Sequence, residues 1–264
     1  LLIFGKNKEF KIMESFERER TILEYLKTNN SESIENLAKI CNSSSMTIRR
    51  DIKRLIELKT IEQRHGFVSL NRDISLLVPY AYRETLNKEV KKIMALKAIQ
   101  LIEDGDVIIL DAGTSCIEIA YILNSKKNLT VITNDLNIAN IVSNYDIEVY
   151  IAGGKIENKN YCSSSIDTIK YIKKFRVSKA FIGTSGITSN FYFCANSCDK
   201  SEIKKTMINI SNKCILMADD SKFNSPSIIK VKSLQDFDYI ITNKIFSNDE
   251  INHIQKNGGK ILNV

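Results

Sequence analysis

The chain has no tryptophan, two histidines, two prolines and six cysteines in 264 residues. With His65 and His253 the only imidazoles and no CxxC pair, a structural metal site lacks ligands. Cys41, Cys116, Cys162 and Cys214 stand singly, and only Cys194 and Cys198 are close. That is too sparse for a disulfide scaffold and reads as reduced thiols in a cytoplasmic protein. Long apolar runs are missing too: the longest span four or five residues, such as Leu1 to Phe4 and Val107 to Leu110. A membrane helix needs roughly 18. The Leu1-Leu2-Ile3-Phe4 start has neither a basic n-region nor a small-residue cleavage site, so it is no signal peptide. Secreted and membrane-spanning classes are excluded, and no cofactor is implied.

What is present is an ordinary globular composition, 43% hydrophobic and 26% charged, able to bury a core. The formal net charge is +7. Its distribution says more than its sum. Between residues 47 and 72, Arg49, Arg50, Lys53, Arg54, Lys59, Arg64 and Arg72 face only Asp51, Glu57 and Glu62, a local net of +4. That is an electrostatic footprint of the size a DNA-contacting element needs.

The first stretch reads as three short helices and a hairpin. Glu17 to Lys27 puts Ile22, Leu23 and Leu26 on one face, and Ser33 can cap a helix carrying Ile34, Leu37, Ala38 and Cys41 inward. Ser43-Ser44-Ser45 offers caps for a third helix. There Ile48, Ile52, Leu55 and Ile56 form the apolar stripe, and Thr47, Arg49, Arg50, Lys53 and Arg54 lie around the other side. Thr60 to Leu70 alternates about His65-Gly66 as a two-stranded wing would. The pattern is that of a winged helix-turn-helix over residues 13–70. A recognition helix presents its N-terminal residues to base edges and its basic residues to phosphates. The DNA-side candidates are therefore Ser44, Ser45, Thr47, Arg49, Arg50 and Lys53, with Arg64 and His65 at the wing. A solvated basic face is the usual meaning of such a charge run, but the preceding helix, tight connection and wing all favour DNA.

Residues 71–83, holding Pro79, read as a linker. Beyond it, over 84–264, β-branched runs alternate with amphipathic helices. Strands are expected at Val107–Asp111, Leu129–Thr133, Glu148–Ala152, Lys179–Gly183, Cys214–Ala218, Tyr239–Thr242 and Lys260–Val264, and helices at Ile117–Leu123, Asn137–Ser143, Thr168–Phe175 and Glu202–Ile210. This predicts a mainly parallel, Rossmann-like α/β sheet covered on both faces. The turns after the strands carry small and polar residues: Asp111, Gly113, Thr114 and Ser115; Thr133 and Asn134; Gly153 and Gly154; and Lys222 in Asp219-Asp220-Ser221-Lys222. All would sit at the carboxyl ends of strands, where open α/β sheets bind ligands. Gly113 admits close backbone approach of an anion, Thr114 and Ser115 can donate to a phosphate, and Lys222 brings a cation.

The segments SMTIRRDIKRLIE and RHG, then YRETLNKEVKK, LDAGTS, VITNDLNIAN, IAGG, AFIGTSGI and MADDSKF, occur in an order and spacing that resemble the DeoR family of bacterial transcriptional repressors, from about Glu17 to Asn243. The resemblance implies an operator-binding winged helix-turn-helix and a sensor domain, similar to sugar-phosphate isomerases, that binds a phosphorylated sugar or polyol. Ser44, Thr47, Arg49 and Arg50 match the family's DNA-reading helix, and Arg83 and Lys91 the Arg and Lys that open its sensor domain. Asp111, Gly113, Thr114 and Ser115 match its Asp-x-Gly-Thr-Thr turn, with Ser in the last place; Thr133, Asn134, Gly153, Gly154 and Lys222 match the other ligand-side turns. The chain departs from the pattern at Phe67, where a second glycine is usual, at Val90 for Glu, within Tyr161–Ser165, and along Phe191–Asn196, where relatives have a short loop.

The function expected is a cytoplasmic repressor of a carbohydrate-use operon, released from double-stranded operator DNA by a sugar phosphate and working as a homo-oligomer. An isomerase-like enzyme fused to a DNA-binding module is the alternative, and an activator a third reading. Asp111 and Lys222 could serve as acid and base, but no dedicated general base with a partner stands out, so binding without turnover is expected. Residues 1–12 precede Met13, which reads as the native start. They are taken as an added extension rather than a DNA-binding arm with Lys6, Lys8 and Lys11.

Overall fold

A computed structural model describes residues 15–57, 60–70, 80–157, 160–224 and 227–264. The expectations for residues 1–12, and for Lys59 and Arg72, lie outside the described residues. The chain divides into two compact units, the second beginning at Pro79.

The first unit holds α1 (Ser15–Thr28), β1 (Glu32–Ser33), α2 (Ile34–Ile40), α3 (Ser45–Glu57), β2 (Ile61–Arg64) and β3 (Phe67–Leu70). Ser33 caps α2 as expected, its side chain accepting from the Asn36 amide. The wing hairpin pairs Ile61 with Leu70 and Arg64 with Phe67. Its two turn residues, His65 and Gly66, both have positive φ, 49° and 85°. That is the I′ geometry whose twist matches a two-residue hairpin. The wing is three-stranded rather than two-stranded, because β1 pairs with β3 on the side away from β2. Ile22, Leu26, Leu37, Ile48, Ile52, Leu55, Ile61 and Val68 close the core.

One polar contact runs through that core. Arg18 of α1 donates to both Asp51 oxygens, through Nε at 2.7 Å and Nη2 at 3.2 Å. Both side chains are at most 5% exposed, and Ser15 donates to the same carboxylate at 3.0 Å. Asp51 sits directly between Arg50 and Ile52, so this two-pronged bond fixes the rotation of α3 about its axis.

The second unit carries α4 (Tyr80–Thr85), α5 (Lys88–Ile99), β4 (Val107–Leu110), α6 (Cys116–Ala120), β5 (Thr130–Thr133), α7 (Leu136–Val142), β6 (Glu148–Ile151), β7 (Ile156–Glu157), β8 (Cys162–Ser163) and α8 (Ile166–Ile172). It continues with β9 (Val177–Gly183), β10 (Gly186–Ile187), β11 (Tyr192–Ala195), α9 (Cys198–Asn209), β12 (Ser211–Met217), β13 (Ile229–Ser233), β14 (Tyr239–Thr242), α10 (Asn248–Ile254) and β15 (Lys260–Asn263). Seven strands form a wholly parallel sheet in the order β15-β14-β12-β9-β4-β5-β6. Alternation along β4 sends Ile108 and Leu110 into a core with Met94 and Ala98 of α5 and Ile138 of α7, and Ile109 into a second core with Ile203 and Met207 of α9. Both faces are covered, the reason such strands read as continuous β-branched runs.

Three features differ from expectation. Tyr80–Arg83, placed in the linker, are helical, and buried Tyr80 joins the sheet's core. The Phe191–Asn196 stretch, expected to depart from the relatives' short loop, holds a strand that was not foreseen: β11 lies between β10 and β13 in a separate antiparallel sheet. A hairpin, β7–β8, follows β6, also unforeseen. Among the described residues no helix is long and apolar enough to cross a membrane, and no His, Cys, Asp or Glu cluster could hold a metal ion.

Asp51→Ala should strip the buried Arg18 guanidinium of its two-pronged carboxylate partner and destabilise the first unit by about 3–5 kcal/mol. Hydrogen exchange on the full chain should show protection lost in α1 and α3 and kept across the seven-stranded sheet; unchanged protection in α3 would contradict the clamp.

Candidate functional site

In the first unit the exposed face belongs to α3 and the wing. Ser44 precedes the helix, accepts the Thr47 amide at 3.2 Å and lies 2.9 Å from the Thr47 hydroxyl. Its carbonyl accepts the Ile48 amide at 3.0 Å. Ser44 and Thr47 thus organise the start of the helix. The first turn has no acidic residue, so the positive end of the helix dipole is not offset there. Arg49, Arg50 and Lys53 are exposed, while Ser45 and Thr47 are half-buried. Arg49 lies 3.6 Å from Glu35 with both side chains 64% exposed, a pair too solvated to hold it. Arg64 pairs with Glu62 at 2.9 Å on the wing, and His65 is exposed at its tip. Arg54, counted in the basic footprint, is instead held at 3.0 Å by Glu19, whose side chain is buried.

In the second unit the chain adds β5 and β6 on one side of β4, then crosses to β9 and continues outward. The β4–β9 junction is therefore the topological switch point, the place outside the carboxyl ends where open α/β sheets bind ligands. Asp111 leaves β4 there, 2% exposed. It accepts from the Gly183 amide at 2.9 Å and from the ammonium of buried Lys204, which also donates to the Gly183 carbonyl at 2.8 Å. Next to this clamp, the Gly113 carbonyl accepts the Cys116 and Ile117 amides, both at 3.1 Å. Gly113 has φ of +156°, which L-residues rarely adopt, and Thr114 and Ser115 complete the turn.

On the neighbouring strand the buried Thr133 hydroxyl donates to the Leu110 carbonyl at 2.8 Å, stitching β5 to β4. Asn134 donates to the Ser163 carbonyl at 2.9 Å, while its Oδ1 is buried without a hydrogen bond. Asp135 caps α7 through the Asn137 and Ile138 amides, and its other carboxylate oxygen is likewise buried and unbonded. Burial raises the Asp135 carboxyl to about 6.

Three further cations were missed or set aside as candidates: Lys204, Arg83 and Lys91. Lys91 is 2% exposed and donates to the Arg83 carbonyl. Burial lowers its ammonium, and the nearby Lys222 charge lowers it further, to about 8. Arg83 donates to Asn160 at 3.0 Å. Lys222 follows β12 in a single turn capped by buried Asp219. Burial alone would raise the Asp219 carboxyl; Lys222 and hydrogen bonds from Ser221 and Asn87 hold it below the usual carboxylate range.

The junction thus gathers Asp111, Gly113, Thr114, Ser115, Thr133 and Asn134 on adjacent strands, and sets Lys222 beside Lys91. Gly153 and Gly154 follow β6, two strand spacings or about 10 Å from β4. Gly154 has a reason of its own for lacking a side chain: at φ +136° a Cβ would collide with Ser165 Oγ and lie 2.7 Å from Thr168 Oγ1. A signal for Lys91 and Lys204 did exist. Lys91 precedes buried Met94, Ala95 and Ala98 at helical spacing, and Lys204 precedes Met207 and Ile208, so both lie on inward stripes.

Comparison with known proteins agrees with this division. Residues 18–73 match the DeoR-like helix-turn-helix domain and residues 86–244 the DeoR C terminal sensor domain. The chain is 33% identical over 248 residues to the HTH-type transcriptional repressor GlcR of Bacillus subtilis (strain 168), covering 93% of this chain and 95% of that one. It is 29% identical over 231 residues to the glycerol-3-phosphate regulon repressor of Escherichia coli (strain K12), covering 87% and 91%. Among solved structures, ribose 5 phosphate isomerase A from Neisseria gonorrhoeae gives a TM-score of 0.39 at 16% identity over 53% of this chain and 55% of that one, too low to bear on the site. With the helix-turn-helix, the sensor domain and a relative matched along nearly its whole length, the chain belongs to the DeoR family of transcriptional regulators.

Proposed function

We propose that the protein represses a carbohydrate-use operon and leaves its operator when a phosphorylated sugar or polyol binds at the carboxyl edge of the sensor sheet. One observation carries this: Lys91 and Lys222, two cations close enough to depress the Lys91 pKa, stand together at that edge. The single Asp219 carboxylate faces both ammonium groups and balances one of the two charges. A phosphate dianion would add the further negative charge and hydrogen-bond acceptors that the pair can take. The Gly113-Thr114-Ser115 turn would supply amides and hydroxyls to the same group, and Asn134 a polar contact to the sugar. The relatives' names support the reading: one is a glycerol-3-phosphate regulon repressor, and those quoted are regulators, which favours binding without turnover. The regulator would act in the cytoplasm as a homo-oligomer, matching a two-fold symmetric operator.

Coupling to DNA would run through α4, the first described element after the connection to the DNA-binding unit. Lys91 donates to the Arg83 carbonyl of this helix. An anion that draws the Lys91 ammonium toward itself weakens that bond and biases α4 between two positions, the differential contact that allostery requires.

Three outcomes follow. Lys222→Ala should hold DNA normally yet need at least tenfold more sugar phosphate for release, read by titrating the protein–DNA complex with a panel of pentose, hexose and triose phosphates. An unaltered response would misplace the site. An anion favours the protonated form of Lys91, so its pKa rises above about 8 on binding. Affinity should then weaken as pH rises through 8, and calorimetry at pH 8.5 in buffers of different ionisation enthalpy should register proton uptake, lost in Lys91→Met. Proton release, or none in the native chain, would contradict this. Arg50→Ala should weaken binding to a DNA site selected by the native chain by about 1–3 kcal/mol if it reads a base. An equal loss on all sequences would make it a phosphate contact, and no loss at matched salt would remove it from the interface.

A further inference from the structure

On the recognition helix one strongly exposed side chain is neither a cation nor a hydroxyl. Met46 is 83% exposed, more than Phe67 at 54% or Ile56 at 38%, the other exposed large apolar side chains among the described residues of the first unit. A single exposed apolar side chain is ordinary on a protein surface. What sets Met46 apart is its bearing. At about 100° per residue, Leu55, nine residues on, lies about 180° round the helix from it, and Ile48 lies about 200° round. Leu55 and Ile48 are fully buried. Met46 therefore stands at the centre of the face diametrically opposite the core. Arg50, Lys53 and Glu57 follow at four, seven and eleven residues, on the same line down the helix. The Arg18–Asp51 bond, together with the buried stripe, prevents α3 from rolling this face inward.

We propose that Met46 is a specificity-determining residue that reads a thymine C5-methyl group in the major groove of the operator. The proposal rests on α3 being the DNA-reading helix. It goes beyond that reading by giving the central position of the face to an apolar contact. The residue lies in the first turn, where a recognition helix meets base edges, and the cations that follow it suit phosphates or guanine. Among base edges in that groove, the thymine methyl is the apolar feature that a side chain without donors or a strong acceptor can select. Methionine suits it: unbranched and polarisable, it fits its thioether and terminal methyl around a small apolar group. Burying a methyl group favours binding about fourfold.

The test uses the full chain and DNA sites selected from a random double-stranded pool by the native protein and, separately, by Met46→Ala. The native chain should select a site with a fixed thymine in each half. Replacing that thymine with uracil, which lacks only the methyl, should weaken native binding about threefold to fivefold. Met46→Ala should bind the thymine site about threefold to tenfold less tightly, lose the preference at that one position, and treat thymine and uracil alike. Its thermal unfolding should match the native chain, since the side chain makes no core contact. If the native chain selects a site but no thymine-to-uracil change matters, or if Met46→Ala keeps the discrimination, this proposal fails while DNA reading by α3 stands. If the native chain selects no sequence, the DNA-reading assignment itself falls, and this proposal with it.

Discussion

The sensor sheet reverses its winding between β4 and β9, and at that seam a buried carboxylate is held by a buried ammonium. Asp111 receives the Gly183 amide and the Lys204 ammonium, and Lys204 returns to the Gly183 carbonyl. Neither charge is tolerable alone at this burial. Together they pin the ends of two strands whose chains then diverge. The 111–115 turn, the Thr133 bond to β4 and the approach of Lys91 and Lys222 all take their places relative to that seam. Asp111 is tied on two sides by protein, whereas Lys91 and Lys222 are like charges that face one carboxylate, Asp219.

The DNA-binding unit uses the same device for another end. Arg18 and Asp51 are buried as a two-pronged pair between α1 and α3. Hydrophobic packing of Ile48, Ile52 and Leu55 holds α3 against the core but tolerates small rotations. A fork-shaped hydrogen-bonded pair does not. Since Asp51 follows Arg50 directly, the pair sets the bearing of the residues offered to DNA. In both units a buried charge pair fixes the orientation of the elements beside it.

Much of this was legible in the chain. Tyr239–Thr242 and the β4 run Val107–Leu110 are strands because short β-branched runs buried on both faces admit little else, and the Ser33 cap and His65-Gly66 turn follow from local chemistry. What was hidden is non-local. Asp51 counted only as a charge offsetting the basic footprint, because its partner is 33 residues away. Lys91 was noted only through the family resemblance and Lys204 not at all, although each precedes an inward stripe, with Met94 and Met207, that is buried. The strand Tyr192–Ala195 pairs locally with only the two residues Gly186–Ile187, and its longer pairing, with Ile229–Ser233, reaches across α9 and β12. Tyr80 followed a proline and read as linker, although its ring is buried against the sheet's core.

The central claim is that the edge of the sensor sheet recognises phosphate and that its occupation releases DNA. The most direct measurement follows dissociation of the native full-length chain from a DNA site it has itself selected, as matched pairs of free and phosphorylated sugars and polyols are titrated in. The account predicts that at least one phosphate ester releases the DNA and is recovered unchanged, while its dephosphorylated counterpart is inert at the same concentrations. Release by the free sugar as readily as by its phosphate, or conversion of the phosphate during the titration, would contradict it.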